Sequence, residues 1–154
     1  MRILVTGGYG FIGSALIRDI ITNTDFDVLN VDILTYAANY KSLDSVVGSP
    51  RYKFDKTNIC EYETLLRLIE DFQPDVITHL AAETHVDRSI DVPLDFVNTN
   101  ILGTITMLEA ALKYFMTLSS DRRRKFRFHH ISTDEVLGSL GNEGLFTEKS
   151  RYDP

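Results

Sequence analysis

Residues 2–13 read Arg-Ile-Leu-Val-Thr-Gly-Gly-Tyr-Gly-Phe-Ile-Gly (RILVTGGYGFIG), a short apolar run that breaks into a string of glycines. A run of this kind, Arg2 to Thr6, is the sequence form of a buried parallel strand arriving at a tight turn. Phe11, Ile12, Ala15, Leu16, Asp19 and Ile20 then follow helical spacing, with the apolar residues expected on one face and Asn23 to Asp25 as the stop. The glycines satisfy both G-x-G-x-x-G and G-x-x-G-x-x-G between strand and helix. Such a turn needs backbone angles and a close approach that a β-carbon obstructs. It delivers helix N-terminal N–H groups and the positive end of the helix dipole to a pyrophosphate. Alone, a glycine string also fits a mere tight turn, so its surroundings decide.

The next apolar run, Val28 to Val31, closes on Asp32, nineteen residues after Gly13. An acidic residue at the end of the second strand is the expected partner of a dinucleotide's ribose. A carboxylate there accepts hydrogen bonds from both ribose hydroxyls and repels a 2′-phosphate, and no arginine follows in Ile33-Leu34-Thr35-Tyr36. The expected cofactor is therefore NAD rather than NADP, with Gly7, Gly10, Phe11, Ile12, Gly13 and Asp32 around it.

Further along, Tyr36 to Val47 allows a short helix and Arg51 to Asp55 reads as a third strand. Glu61 to Phe72 reads as a helix turning Leu65, Leu66, Leu68 and Ile69 inward and ended by Gln73-Pro74. Asp75 to Leu80 is a fourth strand, Leu94 to Thr117 a long helix despite Gly103, and Phe126 to Ser132 a fifth strand. Strands alternating with helices are the sequence form of βαβ units. The expected fold class is α/β, a Rossmann doubly wound parallel sheet in the order 3-2-1-4-5. From Gly138 to Pro154 the pattern dissolves into loop-like composition.

With 154 residues, 44% hydrophobic and 25% charged, the chain suits one ordinary globular domain. A formal charge of −6 argues against a nucleic-acid partner. The one basic run, Arg122 to Arg127, is expected to be a solvated loop before a strand. Cys60 is the single cysteine, which excludes an intramolecular disulfide, suits a cytoplasmic location and is expected to be a small buried residue at a helix start. Neither a signal peptide, a membrane span nor a metal site is expected.

Ligands bind at the carboxyl edge of such a sheet, and three polar stretches fall there. Asn58, with Ile59 beside it, follows the third strand, where Asn58 suits either an adenine amino group or a plain helix N-cap. The fourth strand ends in Ala81-Ala82-Glu83-Thr84-His85-Val86-Asp87-Arg88-Ser89. There the small Ala81 and Ala82 let a cofactor lie close. Glu83, His85, Asp87 and Arg88 suit a charged or polyhydroxyl substrate, a surface salt-bridged turn being the alternative. The fifth strand runs into Ser132-Thr133-Asp134-Glu135-Val136, which places paired carboxylates able to divide acid and base roles, or simply an N-cap, at the same edge.

These stretches resemble the extended short-chain dehydrogenases and, within them, the dTDP-glucose 4,6-dehydratases. The resemblance rests on TGGYGFIG (Thr6–Gly13), DILTYAAN (Asp32–Asn39), HLAAETHVDRSID (His79–Asp91), NTNILGT (Asn98–Thr104), HHISTDEVLG (His129–Gly138) and FTEKSRYDP (Phe146–Pro154), which together span essentially the whole chain. It implies conversion of dTDP-glucose to dTDP-4-keto-6-deoxyglucose with NAD reduced and reoxidised in one cycle. Thr133 would hydrogen-bond around the 4-oxygen, Glu135 would remove the C5 proton and Asp134 would protonate the departing 6-hydroxyl. Asp32 would hold the adenosine ribose and Thr99 would lie near the nicotinamide, with His85, Asp87 and Arg88 by the substrate. A homodimer formed through the long helix after the fourth strand is also implied. Leu137 stands where the family usually has tyrosine, and Asn58 where it usually has aspartate.

The family's Ser-Ser-Pro-Tyr-Ser-Ala-Ser-Lys segment would begin just beyond Pro154. Residues 1–154 are thus expected to be an incomplete NAD-binding domain without the catalytic Tyr-x-x-x-Lys pair or the nucleotide-sugar-binding C-terminal domain, and inactive alone. A non-catalytic NAD-binding module is the alternative from another class, but it has no use for Thr133-Asp134-Glu135. An epimerase of the same group typically carries serine or threonine in place of the paired acids.

Overall fold

The computed structural model describes residues 1–85, 90–141 and 144–154. Five parallel strands, β1 (Arg2–Thr6), β2 (Asp27–Val31), β3 (Tyr52–Asp55), β4 (Val76–His79) and β5 (Arg127–His130), form one sheet in the order β3-β2-β1-β4-β5, as the alternating pattern predicts. Leu4 sits opposite Leu29 on one side and Ile77 on the other. Since neighbouring residues of a strand point to opposite faces, Ile3, Val5 and Val28 fill one core layer while Leu4, Leu29, Val31 and Ile77 fill the other.

Helix α1 (Phe11–Asn23) covers the first layer. Its buried residues are Gly13, Ser14, Ile17, Ile20 and Ile21, whereas Phe11 and Ile12 are exposed. The expected face is therefore out of phase: the buried positions repeat at 13, 14, 17, 20 and 21, and of the expected set Phe11, Ile12, Ala15 and Asp19 are exposed while Ile20 is buried. Arg51 closes the other end, its guanidinium donating to the carbonyls of Ile21 and Thr24 at 2.7 and 2.5 Å. The short helix expected within Tyr36–Val47 is a single 3-10 turn, Tyr40–Leu43, capped by Asn39.

The second layer is covered by α2 (Tyr62–Phe72) and by a helical run of three parts: α3 (Pro93–Phe96), a π-helical segment (Val97–Gly103) and α4 (Thr104–Thr117). Helix α2 buries Leu65 and Ile69 fully, with Leu66 and Leu68 at the margin. It ends at Gln73, whose left-handed φ of 52° stops the helix before Pro74. A β-carbon on Gly103 would lie 2.5 Å from Ile59 Cδ1, so the run packs closely on the loop after β3 at this point.

The basic run is not a loop. Ser120–Lys125 forms a short helix, α5, capped by the Ser119 hydroxyl. Its arginines bind carbonyls: Arg122 donates to Gln73 O (3.0 Å) and the Tyr114 hydroxyl (2.9 Å), and Arg123 donates to Phe115 O (3.1 Å) at the end of α4. No helix among the described residues is long and apolar enough to cross a membrane.

Candidate functional site

The carboxyl ends of β1, β2 and β4 converge on the glycine turn. Gly7 has φ +72°, and a β-carbon there would fall 2.8 Å from Ala81 N and 2.9 Å from Ala81 Cα, so only glycine lets the turn lie against the end of β4. The turn's amides are spent in succession. Gly7 N–H donates to Val31 O (2.9 Å), Gly8 N–H to Asn30 Oδ1 (3.1 Å), Tyr9 N–H to Asp32 Oδ2 (2.9 Å) and Gly10 N–H to Gly7 O (3.1 Å). The amides of Phe11, Ile12 and Gly13, which follow, take no backbone acceptor. The head of α1 thus presents unspent donors at the positive end of the helix dipole. The Phe11 side chain is 95% exposed, so what this residue offers a ligand is its backbone.

Asp32 does more than end β2. Its Oδ2 holds Tyr9 N–H and its Oδ1 accepts Leu34 N–H at 2.8 Å, fixing Leu34 in a left-handed conformation (φ 62°). The carboxylate therefore pins the glycine turn to the segment that follows β2, and Asp32 lines the cleft with acceptor capacity left on both oxygens.

That cleft has a volume of about 350 Å³. Of the residues expected at the cofactor, Gly7, Gly10, Asp32, Asn58, Ile59, Ala81, Ala82 and Thr99 line it, together with Glu83; Phe11, Ile12 and Gly13 do not. Thr35, Ala37, Ala38, Thr57, Cys60, Asp95 and Asn98 also line it and were not evident as site residues from spacing. Asn58 Oδ1 accepts Cys60 N–H at 2.9 Å, so its side chain is already committed to the turn that leads into α2. Cys60 is partly exposed rather than buried, because it faces the cleft with its thiol donating to Asn98 O at 3.3 Å. Burial, helped by Glu61, pushes the thiol's pKa up.

Asn100, from the π-helical segment, holds the backbone of Glu83 at both ends: Oδ1 accepts Glu83 N–H (2.8 Å) and Nδ2 donates to Glu83 O (2.9 Å). The Glu83 carboxylate in turn accepts the Tyr36 hydroxyl at 3.1 Å, and the Tyr36 ring lies 5.9 Å from that of His85. Glu83 and His85 are thereby brought to one corner by a tyrosine 47 residues earlier in the chain than Glu83. Asp87 and Arg88 lie outside the described residues.

Thr133 caps a 3-10 turn, Asp134–Leu137, with its hydroxyl accepting Glu135 N–H at 3.4 Å. Thr133, Asp134 and Glu135 are exposed at the carboxyl end of β5, on the same sheet edge as the cleft but not lining it.

Tyr52 and Lys56 stand four apart in Tyr-Lys-Phe-Asp-Lys, a match that the expectation of no Tyr-x-x-x-Lys in this chain overlooks. The correction does not supply a catalytic pair. Tyr52 lies on β3, is 7% exposed and accepts the Asn30 amide at 2.9 Å, and burial raises its pKa far above that of a free phenol. In extended chain two residues four apart stand about 13 Å from each other, against about 6 Å on a helix, and Lys56 lies just beyond β3.

Beneath the cleft lies a network that spacing does not reveal. Thr6 Oγ1 accepts the amides of Leu80 and Ala81 (both 3.2 Å), so its own proton goes to His79 Nδ1 at 2.7 Å. His79 is then the tautomer with hydrogen on Nε2, which donates to Thr104 Oγ1 at 3.2 Å. It is 1% exposed, and burial, with His130 stacked at 5.3 Å, lowers its pKa to about 4.

The likenesses to known proteins are extensive. A dTDP-glucose 4,6-dehydratase from Haemophilus influenzae is 56% identical over the full chain, which spans 46% of that protein. One from Escherichia coli is 53% identical, again over the full chain, which spans 45% of it. Among solved structures, a dTDP-glucose 4,6-dehydratase from Bacillus anthracis in complex with NAD superposes with a TM-score of 0.83 at 36% identity, over the full chain and 44% of its own length. A UDP-glucose 4-epimerase from Thermotoga maritima superposes at 0.80 with 29% identity over the full chain and 45% of its own length. The chain thus spans about half the length of the relatives it matches. A family model described as GDP-mannose 4,6 dehydratase matches residues 4–154, nearly all of the sequence, and the chain belongs to that family.

Proposed function

We propose that this chain is the NAD-binding Rossmann part of a nucleotide-sugar 4,6-dehydratase that converts dTDP-glucose to dTDP-4-keto-6-deoxyglucose. One observation carries the reading: a single cleft joins a glycine turn too close to Ala81 for any β-carbon, a carboxylate at the end of β2 and the small residues ending β4. Those residues fit NAD. The amides of Phe11 and Ile12 would receive the pyrophosphate, Asp32 the adenosine ribose hydroxyls, and Asn58 and Ile59 would border the adenine. Ala81, Ala82 and Thr99 would border the nicotinamide half. When bound, NAD supplies a hydride acceptor that later returns the hydride.

The chain's own residues carry the dehydration. Glu135 removes the C5 proton and Asp134 protonates the departing 6-hydroxyl, with Thr133 hydrogen-bonded at the 4-oxygen. Glu83, His85, Asp87 and Arg88 hold the sugar nucleotide. The paired acids favour this reaction over epimerisation, which eliminates no water. The nucleotide-sugar-binding domain and the base for the 4-hydroxyl belong, on this reading, to the part of the enzyme that these residues do not include.

A cytoplasmic location is part of the proposal and agrees with the single unpaired cysteine. So is a homodimer. Ile101, Ile105, Leu108, Leu112 and Met116 are each about half exposed at helical spacing along the run that ends in α4, and an apolar stripe of that kind marks an interaction surface.

Calorimetric titration tests the proposal. NAD is expected to bind and NADP to bind at least tenfold more weakly, with Asp32→Ala abolishing the preference. The 154 residues alone are expected to convert no dTDP-glucose. A folded chain that binds neither dinucleotide, or that favours NADP, would contradict the reading.

A further inference from the structure

Asn30 is out of place by pattern: an amide in the middle of an apolar strand, fully buried at 0% exposure. Burying a primary amide is unfavourable unless its hydrogen-bonding groups are satisfied, and here both ends are. Oδ1 accepts the N–H of Gly8 at 3.1 Å and Nδ2 donates to the Tyr52 hydroxyl at 2.9 Å. The fit is tight from the other side as well. A β-carbon on Gly8 would lie 2.1 Å from Asn30 Oδ1 and 2.5 Å from the end of Ile17. Gly8 is therefore a glycine because Asn30 stands under it.

We propose that Asn30 is the positioning residue of the phosphate-binding turn. By taking the Gly8 amide from the core side, it fixes the plane of the peptide between Gly7 and Gly8. The chain then leaves the turn with the amides of Phe11 and Ile12 unspent at the head of α1. A carbon side chain of similar size would fill the space but accept nothing. The Gly8 amide would then be buried without a partner or would rotate toward the cleft, moving the head of α1. Asn30 touches no ligand itself, and its effect on the pyrophosphate runs through the turn. The inference rests on the dinucleotide reading but concerns a residue that does not line the cleft.

Two readouts separate the possibilities. In Asn30→Leu, NAD and ADP affinities are expected to fall at least tenfold, and amide hydrogen exchange at Gly8 to accelerate by a similar factor or more while Leu4 stays protected. Val28→Ala, a core change on the same strand away from the turn, should lower Tm with affinity within twofold of the parent. If Asn30→Leu does not fold, Gly8→Ala forces the Asn30 amide away, its β-carbon falling 2.1 Å from Oδ1, and faster exchange at residue 8 with the same loss of affinity is expected. Should the parent chain bind no NAD, the dinucleotide reading fails, and Gly8 exchange still judges Asn30. Unchanged Gly8 exchange in a folded Asn30→Leu chain, or affinity losses that merely track Tm in Val28→Ala as well, would overturn the inference.

Discussion

Gly13→Ala is expected to destabilise the chain by about 3 kcal/mol and to remove NAD binding. The added β-carbon would stand 2.2 Å from Gly7 O and 2.8 Å from Gly8 Cα, both backbone atoms of the glycine turn. No side chain can swing away to make room. The turn itself is tied to Val31 O, Asn30 and Asp32, so moving it breaks hydrogen bonds to β2. Forcing extra volume into packed surroundings costs about 1–3 kcal/mol, and each lost hydrogen bond adds about 1 kcal/mol. For a domain of this size, the loss corresponds to a fall in Tm of roughly 10 °C. Gly48→Ala is the control: nothing lies within 4 Å of its β-carbon, and its expected change is within about 0.5 kcal/mol. Thermal melts of the two variants check the contrast, and equal Tm values would contradict the packing argument.

Acid is expected to weaken the fold through His79 before most carboxylates titrate. Burial lowers the His79 pKa from 6.5 to about 4, and the hydrogen bond from Thr6 to Nδ1 exists only while that nitrogen is unprotonated. Between those two pH values the unfolded chain binds a proton that the folded chain refuses. Stability is therefore full above about pH 6.5 and falls as the pH drops toward 4. The fall from 6.5 to about 4 is worth about 3 kcal/mol, of which roughly 2 kcal/mol is lost by pH 5. Urea unfolding of the parent and of His79→Leu from pH 7 to 5 measures it. The parent should lose stability over this range and the variant, whatever its absolute stability, should lose about 2 kcal/mol less. Parallel curves would show that His79 is not the acid-sensitive group.

The parts of this molecule that the sequence discloses are those set by local pattern. The glycines between β1 and α1, Asp32 closing β2 and the alternation of apolar runs with helical spacing suffice for a parallel sheet in its observed order. Helical spacing alone does not fix the phase of the buried face, because in α1 it is the set Gly13, Ser14, Ile17, Ile20 and Ile21 that meets the core. Phe11 and Ile12 share a helical spacing with Ala15 and Asp19, but that spacing marks the exposed side of α1. Composition likewise says that Arg122–Arg127 is charged, but not that Arg122 and Arg123 are used to bind the carbonyls of Gln73 and Phe115.

The hidden parts of the site depend on contacts between distant residues. Asn30 reads as a blemish in an apolar strand until Gly8, 22 residues earlier, is seen donating to it. Asn100 becomes the support of Glu83 only once the π-helical segment lies over the end of β4. Tyr52 and Lys56 show the opposite hazard, since a spacing that matters on a helix occurs by chance on a strand. A buried polar residue within an otherwise apolar strand was the one available signal for Asn30, because such a group is stable only with a partner.

On the proposed function, the amides at the head of α1, left unspent by the turn, receive the pyrophosphate of NAD. Amide chemical shifts of the 154-residue chain, followed while NAD is added, report on those amides one by one. The largest changes are expected on Phe11 and Ile12, with smaller ones at Asp32 and Ala81, and ADP is expected to reproduce those at Phe11 and Ile12. Saturable binding that leaves Phe11 and Ile12 unmoved would contradict that role.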